Sequence, residues 1–257
     1  MAIGERRGAS MRLLLDAALT MTALSLTLFT VAFACGAAGP GAPVGAQDRQ
    51  AERSRMVEEQ IKARDIHSER VLDVMRTVPR HLFVPASVQA DAYGDSPLPI
   101  GYDQTISQPY IVAFMTEALD LQAGHSVLEI GTGSGYQAAV LSRLVTAVFT
   151  IEIVEPLAQR ARETLTQLGY RNVEVRTGNG YLGWPEHAPY DRIMVTAAPE
   201  EVPPALIAQL KIDGLMAIPV GPTRMQELRI LRRTPTGTET IKTLPVLFVP
   251  MTGKPKR

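Results

Sequence analysis

The ten residues Val127-Leu128-Glu129-Ile130-Gly131-Thr132-Gly133-Ser134-Gly135-Tyr136 constrain this chain more than any other stretch. Val127 to Ile130 is a short apolar run of the kind that forms a buried strand. It runs into glycines at 131, 133 and 135, and then into a helical pattern over 137–145. A strand, a glycine turn and a helix in that order place a ligand at the carboxyl end of a parallel strand. Glycines let the backbone pass where side chains would collide with the ligand or the strand. A dinucleotide fingerprint has its third glycine three residues after the second. Here the spacing is G-x-G-x-G, and Tyr136 stands where that fingerprint requires glycine.

The residues around this loop read as an alternation of strands and helices. Strands are expected at 126–130, 147–151, 173–176, 192–196 and 215–220, with helices at 137–145, 156–168 and 203–210. Such alternation implies an α/β fold with a doubly wound, mostly parallel sheet. Pro203-Pro204 should open the last of those helices and Gly214 should follow its end. Two extended runs, 227–233 and 239–249, have no helix between them. They are expected to form an antiparallel pair closing the C-terminal edge of the sheet.

Upstream, apolar Val57, Ile61 and Ile66 suggest a helix over 55–64. Ser68 should cap a second, carrying Val71, Leu72, Met75 and Val78 and ended by Pro79. Residues 81–85 read as extended and 90–104 as a loop of functional length. Ser107 and Pro109 sit where the N-cap and first turn of the next helix belong, so spacing alone makes Ser107 a cap.

The first fifty residues read differently. Arg6, Arg7 and Arg12 precede a stretch without charge from 17 to 34, followed by small-residue motifs and a Gly/Ala/Pro-rich linker. This is the layout of a signal peptide, and the uncharged run is also just long enough for a marginal membrane anchor. The alternative is translation from Met56, giving a cytoplasmic product. The expected organisation is therefore a leader and linker over 1–50 and one domain over 51–257. Within it, 51–121 forms an N-terminal segment, 122–221 the ligand-binding core and 222–257 the terminal strands.

Charge narrows the partners. Twenty-six Lys and Arg balance twenty-six Asp and Glu, so nothing favours nucleic acid. A single cysteine and four unclustered histidines give no metal-ligand pattern. Membrane contact is expected only through residues 17–34, and a monomer is expected.

Two further strand ends define the ligand. Glu152 closes the second expected strand, where a carboxylate can accept from both hydroxyls of a ribose. Gly178-Asn179-Gly180 follows the third, where a side-chain amide can meet an adenine edge. A glycine turn, a ribose acid and an adenine contact without pyrophosphate spacing fit S-adenosyl-L-methionine better than a dinucleotide.

Several stretches then resemble the protein-L-isoaspartate O-methyltransferases over about residues 55–252. They are Val78-Pro79-Arg80, Leu98-Pro99-Ile100-Gly101, Gln104-Thr105-Ile106-Ser107-Gln108-Pro109-Tyr110, the glycine loop itself, Val195-Thr196-Ala197-Ala198-Pro199, Pro219-Val220-Gly221 and Phe248-Val249-Pro250. The resemblance implies a Rossmann-like methyltransferase fold whose N-terminal helical and loop segment serves the substrate side. It implies methyl transfer to the free carboxylate of L-isoaspartyl residues in damaged proteins and peptides. It makes Ser107 the active-site serine, with Gln104, Thr105 and Ile106 lining the pocket. Gly131, Thr132, Gly133, Ser134, Gly135, Glu152, Asn179, Gly180 and Thr252 match cofactor-contacting positions. The family usually has Asp where this chain has Asn179. Because the adenine amino group is neutral, the amide oxygen should replace the carboxylate at a cost on the order of 1 kcal/mol in affinity. Two other readings stay open: a methyltransferase for a small-molecule carboxylate or hydroxyl, and an exported relative that binds without turnover.

Overall fold

The computed structural model describes residues 48–255, which belong to one compact unit. Of the leader and linker expected over 1–50, residues 1–47 lie outside the described residues. Among the described residues no helix is long and apolar enough to cross a membrane.

The molecule is built on a seven-stranded sheet. Its strands are β3 (Ser126–Ile130), β4 (Ala147–Glu152), β5 (Val173–Thr177), β6 (Tyr190–Val195), β7 (Leu210–Val220), β8 (Gln226–Thr234) and β9 (Gly237–Val246), in the spatial order β5-β4-β3-β6-β7-β8-β9. β3 to β7 are parallel neighbours, while β8 and β9 pair antiparallel at the edge. Both faces are covered, as the near-continuous apolar runs of the central strands require. Val127 contributes to one core with α2 (Glu69–Thr77), α3 (Pro109–Ala118) and α4 (Tyr136–Ser142). Leu128 and Ile130 face a second core with Ile193, Leu206 and Met216. α5 (Glu155–Gln167) and α6 (Pro204–Gln209) complete the layers.

Chain order reverses beside β3: β4 and β5 lie on one side and β6 on the other. That is the topological switch point, where an open α/β sheet leaves a crevice beyond its carboxyl ends. The parallel register brings Ile130 beside Ile151, and Glu152 beside Thr177. The glycine loop, Glu152 and the Gly178-Asn179-Gly180 turn therefore share one rim.

Local structure departs from the sequence expectations in four places. The first helix starts earlier, at Gln50 (α1, Gln50–Met56), and continues through a π-helical turn, Val57–Ile61, before ending in 3-10 geometry at Arg64. Its apolar stripe is as expected, with Val57, Ile61 and Ile66 fully buried. The 81–85 piece is a 3-10 turn rather than extended. The 90–104 loop contains a two-stranded hairpin, β1 (Leu98–Gly101) and β2 (Gln104–Ile106), separate from the main sheet. Its turn uses Tyr102 and Asp103 at φ 55° and 57°. Those angles are normally signalled by Asn or Gly, so pattern reading misses it. Finally, β7 begins at Leu210, so Gly214 is not a helix stop. It lies inside the strand at an irregularity in the β6–β7 pairing, where an added Cβ would stand 2.7 Å from the Lys211 carbonyl.

Candidate functional site

Two adjoining cavities open at the switch point. The larger encloses about 570 Å3 of open space between the glycine loop, Glu152, Gly180 and the segment from Val249 to Thr252. That is within the range occupied by nucleoside-sized ligands. The smaller, about 340 Å3, lies between Ser107, the glycine loop and Gln137. Thr105, Gly131, Gly133 and Thr196 line both, so the cavities meet over these four residues.

Each glycine of the loop has its own physical reason. Gly131 has φ 96°, and an added Cβ would lie 2.4 Å from Thr196 Oγ1. That hydroxyl donates to the carbonyls of Ile130 and Gly131 at 3.0 and 2.7 Å, tying the end of β6 to the end of β3. Gly133 has φ 54° and packs against Ile100 of the hairpin. Gly135, at φ 89°, is the N-cap of α4, and a Cβ there would press on Leu165 and Ala161 of α5. Thr132 turns inward: its hydroxyl contacts Thr150 Oγ1 at 2.7 Å, and Thr150 donates to Glu129 Oε2 at 2.5 Å. Glu129 is fully buried, its Oε1 has no partner, and burial pushes its carboxyl up to about 8.

Glu152 fastens the rim. Oε2 accepts from the Gly133 N–H at 2.7 Å and Oε1 from the Val154 N–H at 3.0 Å. Each oxygen keeps acceptor capacity for a ribose hydroxyl. Across from it runs a strap, residues 247–253, that leaves the β8–β9 hairpin and returns over the sheet. Gln226 grips it by donating to the Phe248 carbonyl and accepting from the Phe248 N–H. Ala198 pairs with it on both sides of Pro250, and Tyr181 Oη donates to the Met251 carbonyl at 3.2 Å.

Of the residues expected at the site, Gln104, Thr105, Gly131, Gly133, Glu152, Gly180 and Thr252 line the larger cavity. Ile106, Ser107, Thr132 and Ser134 line the smaller one. Gly135 and Asn179 line neither. The Asn179 oxygen accepts from the Tyr181 N–H at 3.0 Å, capping a 3-10 turn, and its Nδ2 donates to the Gly253 carbonyl at 2.6 Å. The cap expected of Ser107 is absent: Gln108 is the N-cap of α3 and no side chain caps that helix. Instead Ser107 lines the smaller cavity. Sequence reasoning missed Thr196 as a wall of both cavities, and Val249 and Met251 as walls of the larger. Only the Val-Thr-Ala-Ala-Pro and Phe-Val-Pro stretches hinted at them.

Among the described residues, Glu152 is the one carboxylate lining either cavity, and no lysine, arginine or histidine lines them. Such a site can bind and align reactants, and the Glu152 oxygens are already engaged by backbone N–H groups. The residues fit an adenosyl group: an acid for ribose, glycine backbone at the closest approach, and Ile151, Ile153 and Met251 as apolar walls for a base.

Comparison with known proteins gives a consistent picture. The model of the protein-L-isoaspartate(D-aspartate) O-methyltransferase family matches residues 51–256. The protein-L-isoaspartate O-methyltransferase of Gloeobacter violaceus is 56% identical over 198 residues, covering 77% of this chain and 97% of that protein. That of Opitutus terrae is 57% identical over 205 residues, covering 79% and 88%. A solved protein-L-isoaspartate O-methyltransferase structure superposes with a TM-score of 0.72 at 28% identity, covering 79% of this chain and 66% of that one. A Plasmodium falciparum structure, described as a protein-L-isoaspartate O-methyltransferase in complex with S-adenosyl-L-homocysteine, shares the fold with a TM-score of 0.66 at 22% identity, covering 78% and 98%.

Proposed function

Since this chain belongs to the protein-L-isoaspartate(D-aspartate) O-methyltransferase family, we propose that its two joined cavities divide the reaction between them. The larger holds the methyl donor and the smaller the acceptor carboxylate. The enzyme transfers a methyl group from S-adenosyl-L-methionine to the free carboxylate of L-isoaspartyl residues in damaged proteins and peptides, beginning their repair. The observation that carries the division of labour is the meeting of the cavities over Thr105 and Gly131, with Glu152 in one and Ser107 in the other.

When bound, the donor supplies an electrophilic methyl group on a sulfonium. Glu152 holds the ribose, and the backbone of the 131–135 loop lets the donor approach the end of β3. Gln104, Thr105 and Ile106 close the hairpin over the junction, and Gly180 and Thr252 bound the far side. Ser107 donates its hydroxyl to the acceptor carboxylate and aligns it. An ordinary carboxyl titrates at about 4, so at neutral pH the acceptor is already a nucleophile and needs no base. Opposite charges shrink as the reactants combine, so what the protein adds is alignment, for which effective molarities reach roughly 10⁵ M or more.

The assay is methyl incorporation into an isoaspartyl peptide, with the matching aspartyl peptide as control. Equal methylation of both would refute the substrate assignment.

Placement and assembly belong to the same proposal. The basic, uncharged and small-residue segments of 1–50 support a leader that exports or anchors the protein, with residues 17–34 as its membrane contact. Supporting an upstream start, α1 would be lost to translation from Met56, and with it buried Arg53, which donates to the Arg76 carbonyl at 2.9 Å. N-terminal sequencing of the mature protein decides it; a first residue of Met56 refutes the leader. Balanced charge argues against nucleic acid as a partner, and a monomer is part of the proposal, which sedimentation would check.

A further inference from the structure

The departure at position 179 does more than replace one acceptor with another. We propose that the Asn179 amide is a latch that holds the 247–253 strap closed against the donor cavity, so that Asn179 acts as a positioning residue for this enzyme. The inference rests on the methyltransferase reading above only for the identity of the ligand behind the strap.

Three observations converge on it. The Asn179 side chain uses both ends at once, accepting from the Tyr181 N–H and donating to the Gly253 carbonyl at 2.6 Å. Only the second bond needs an amide, since a carboxylate could accept from Tyr181 equally well but has nothing to donate. The strap is shaped to receive the latch. Gly253 has φ 86°, and an added Cβ would lie 2.7 Å from Ile153 and 3.1 Å from Asn179 Oδ1, so backbone is seated directly against the amide. The residues immediately before it, Met251 and Thr252, wall the donor cavity. Tyr181, whose N–H the same amide caps, bonds the Met251 carbonyl through its hydroxyl. Residues 179 and 181 thus grip the strap at two carbonyls two residues apart.

An aspartate at 179 would place a carboxylate oxygen against the Gly253 carbonyl, acceptor against acceptor. The pair would separate and the strap would lift. This reverses the expectation drawn from adenine chemistry alone, in which a carboxylate at 179 binds the donor more tightly.

The test compares wild type, Asn179→Asp and Tyr181→Phe in two measurements: hydrogen exchange of the strap amides in ligand-free protein, and the dissociation constant for S-adenosyl-L-homocysteine. Both variants are expected to raise exchange at Met251, Thr252 and Gly253. Asn179→Asp is expected to weaken ligand binding by about tenfold, the usual effect of one lost hydrogen bond with its partner left unpaired. The KM for an isoaspartyl peptide at saturating donor should stay within about twofold, because the acceptor cavity does not touch the strap. Asn179→Asp binding as tightly as wild type or tighter, or unchanged strap exchange in that variant, would overturn the latch. Wild type that fails to bind S-adenosyl-L-homocysteine at all would instead sink the methyltransferase reading, and the exchange comparison would still decide the latch.

Discussion

The Glu152 carboxylate and the Gly133 N–H meet at 2.7 Å, joining the end of β4 to the middle of the glycine loop. On the proposed reading, one side chain therefore both recognises ribose and fixes the loop that the ligand must approach. Glu152→Gln keeps a single acceptor oxygen for two backbone N–H groups and turns an NH2 toward one of them. Donor affinity should fall by about 30-fold or more, as expected for losing charge-assisted bonds worth about 2 kcal/mol. Titration calorimetry with S-adenosyl-L-homocysteine measures it, and a change under threefold would remove Glu152 from the ribose site.

Ser107 separates two roles that sequence alone could not. Because Gln108 and not Ser107 occupies the N-cap position of α3, Ser107→Ala should leave the melting temperature within about 2 °C, whereas deleting a true N-cap costs about 1 kcal/mol and several degrees. The turnover number on an isoaspartyl peptide should drop by roughly 10- to 100-fold at unchanged donor affinity. Thermal denaturation beside steady-state kinetics distinguishes the two; a large melting shift with normal turnover would restore the cap.

Glu129 makes stability depend on pH. Its folded pKa lies near 8 against 4.5 unfolded, so between those values the folded protein holds a proton that the unfolded chain has released. Stability is then fully present below pH 4.5, declines as pH rises, and this contribution is gone above about 8. The slope approaches about 1.4 kcal/mol per pH unit for one proton. Glu129→Gln should flatten the difference in unfolding free energy between pH 6 and 8.5, measured by urea denaturation; an equal slope in both proteins would reject the buried neutral carboxyl.

Two glycines with similar backbone angles should behave differently. Gly169 has φ 79° and open space around its missing Cβ, so Gly169→Ala should cost only the left-handed backbone penalty of about 1 kcal/mol. Gly131→Ala adds a collision with Thr196 and should cost clearly more while abolishing donor binding. Equal losses of stability in the two variants would show that Thr196 simply rotates away.

The sheet was legible because its code is local. Apolar runs of five or six residues, spaced by amphipathic helices, specify buried parallel strands wherever they fall, and the observed β3 is the expected strand to the residue. The rim of the larger cavity was legible for a related reason: a parallel sheet puts its strand ends together, so residues 131, 152 and 180 meet without long-range knowledge. The hairpin at 98–106 was hidden by non-glycine residues in a left-handed turn. The strap was hidden because 247–249 continues an extended pattern, and its departure from β9 is set by Gln226 and Ala198, which lie elsewhere in the sequence. Position 179 shows the limit most clearly, since a residue's type reveals what it can bond but not which of two neighbours it bonds.

The strap also makes the antiparallel edge of the sheet an arm of the site. Among the described residues β9 pairs only with β8, its outer side is exposed, and it feeds directly into the segment that walls the larger cavity. Fraying of that edge, by heat, by a proteolytic nick or by another strand pairing onto it, would slacken the arm and let the ligand go while the central sheet stayed intact. A repair enzyme built this way registers its own edge damage as lost cofactor before it registers it as lost fold.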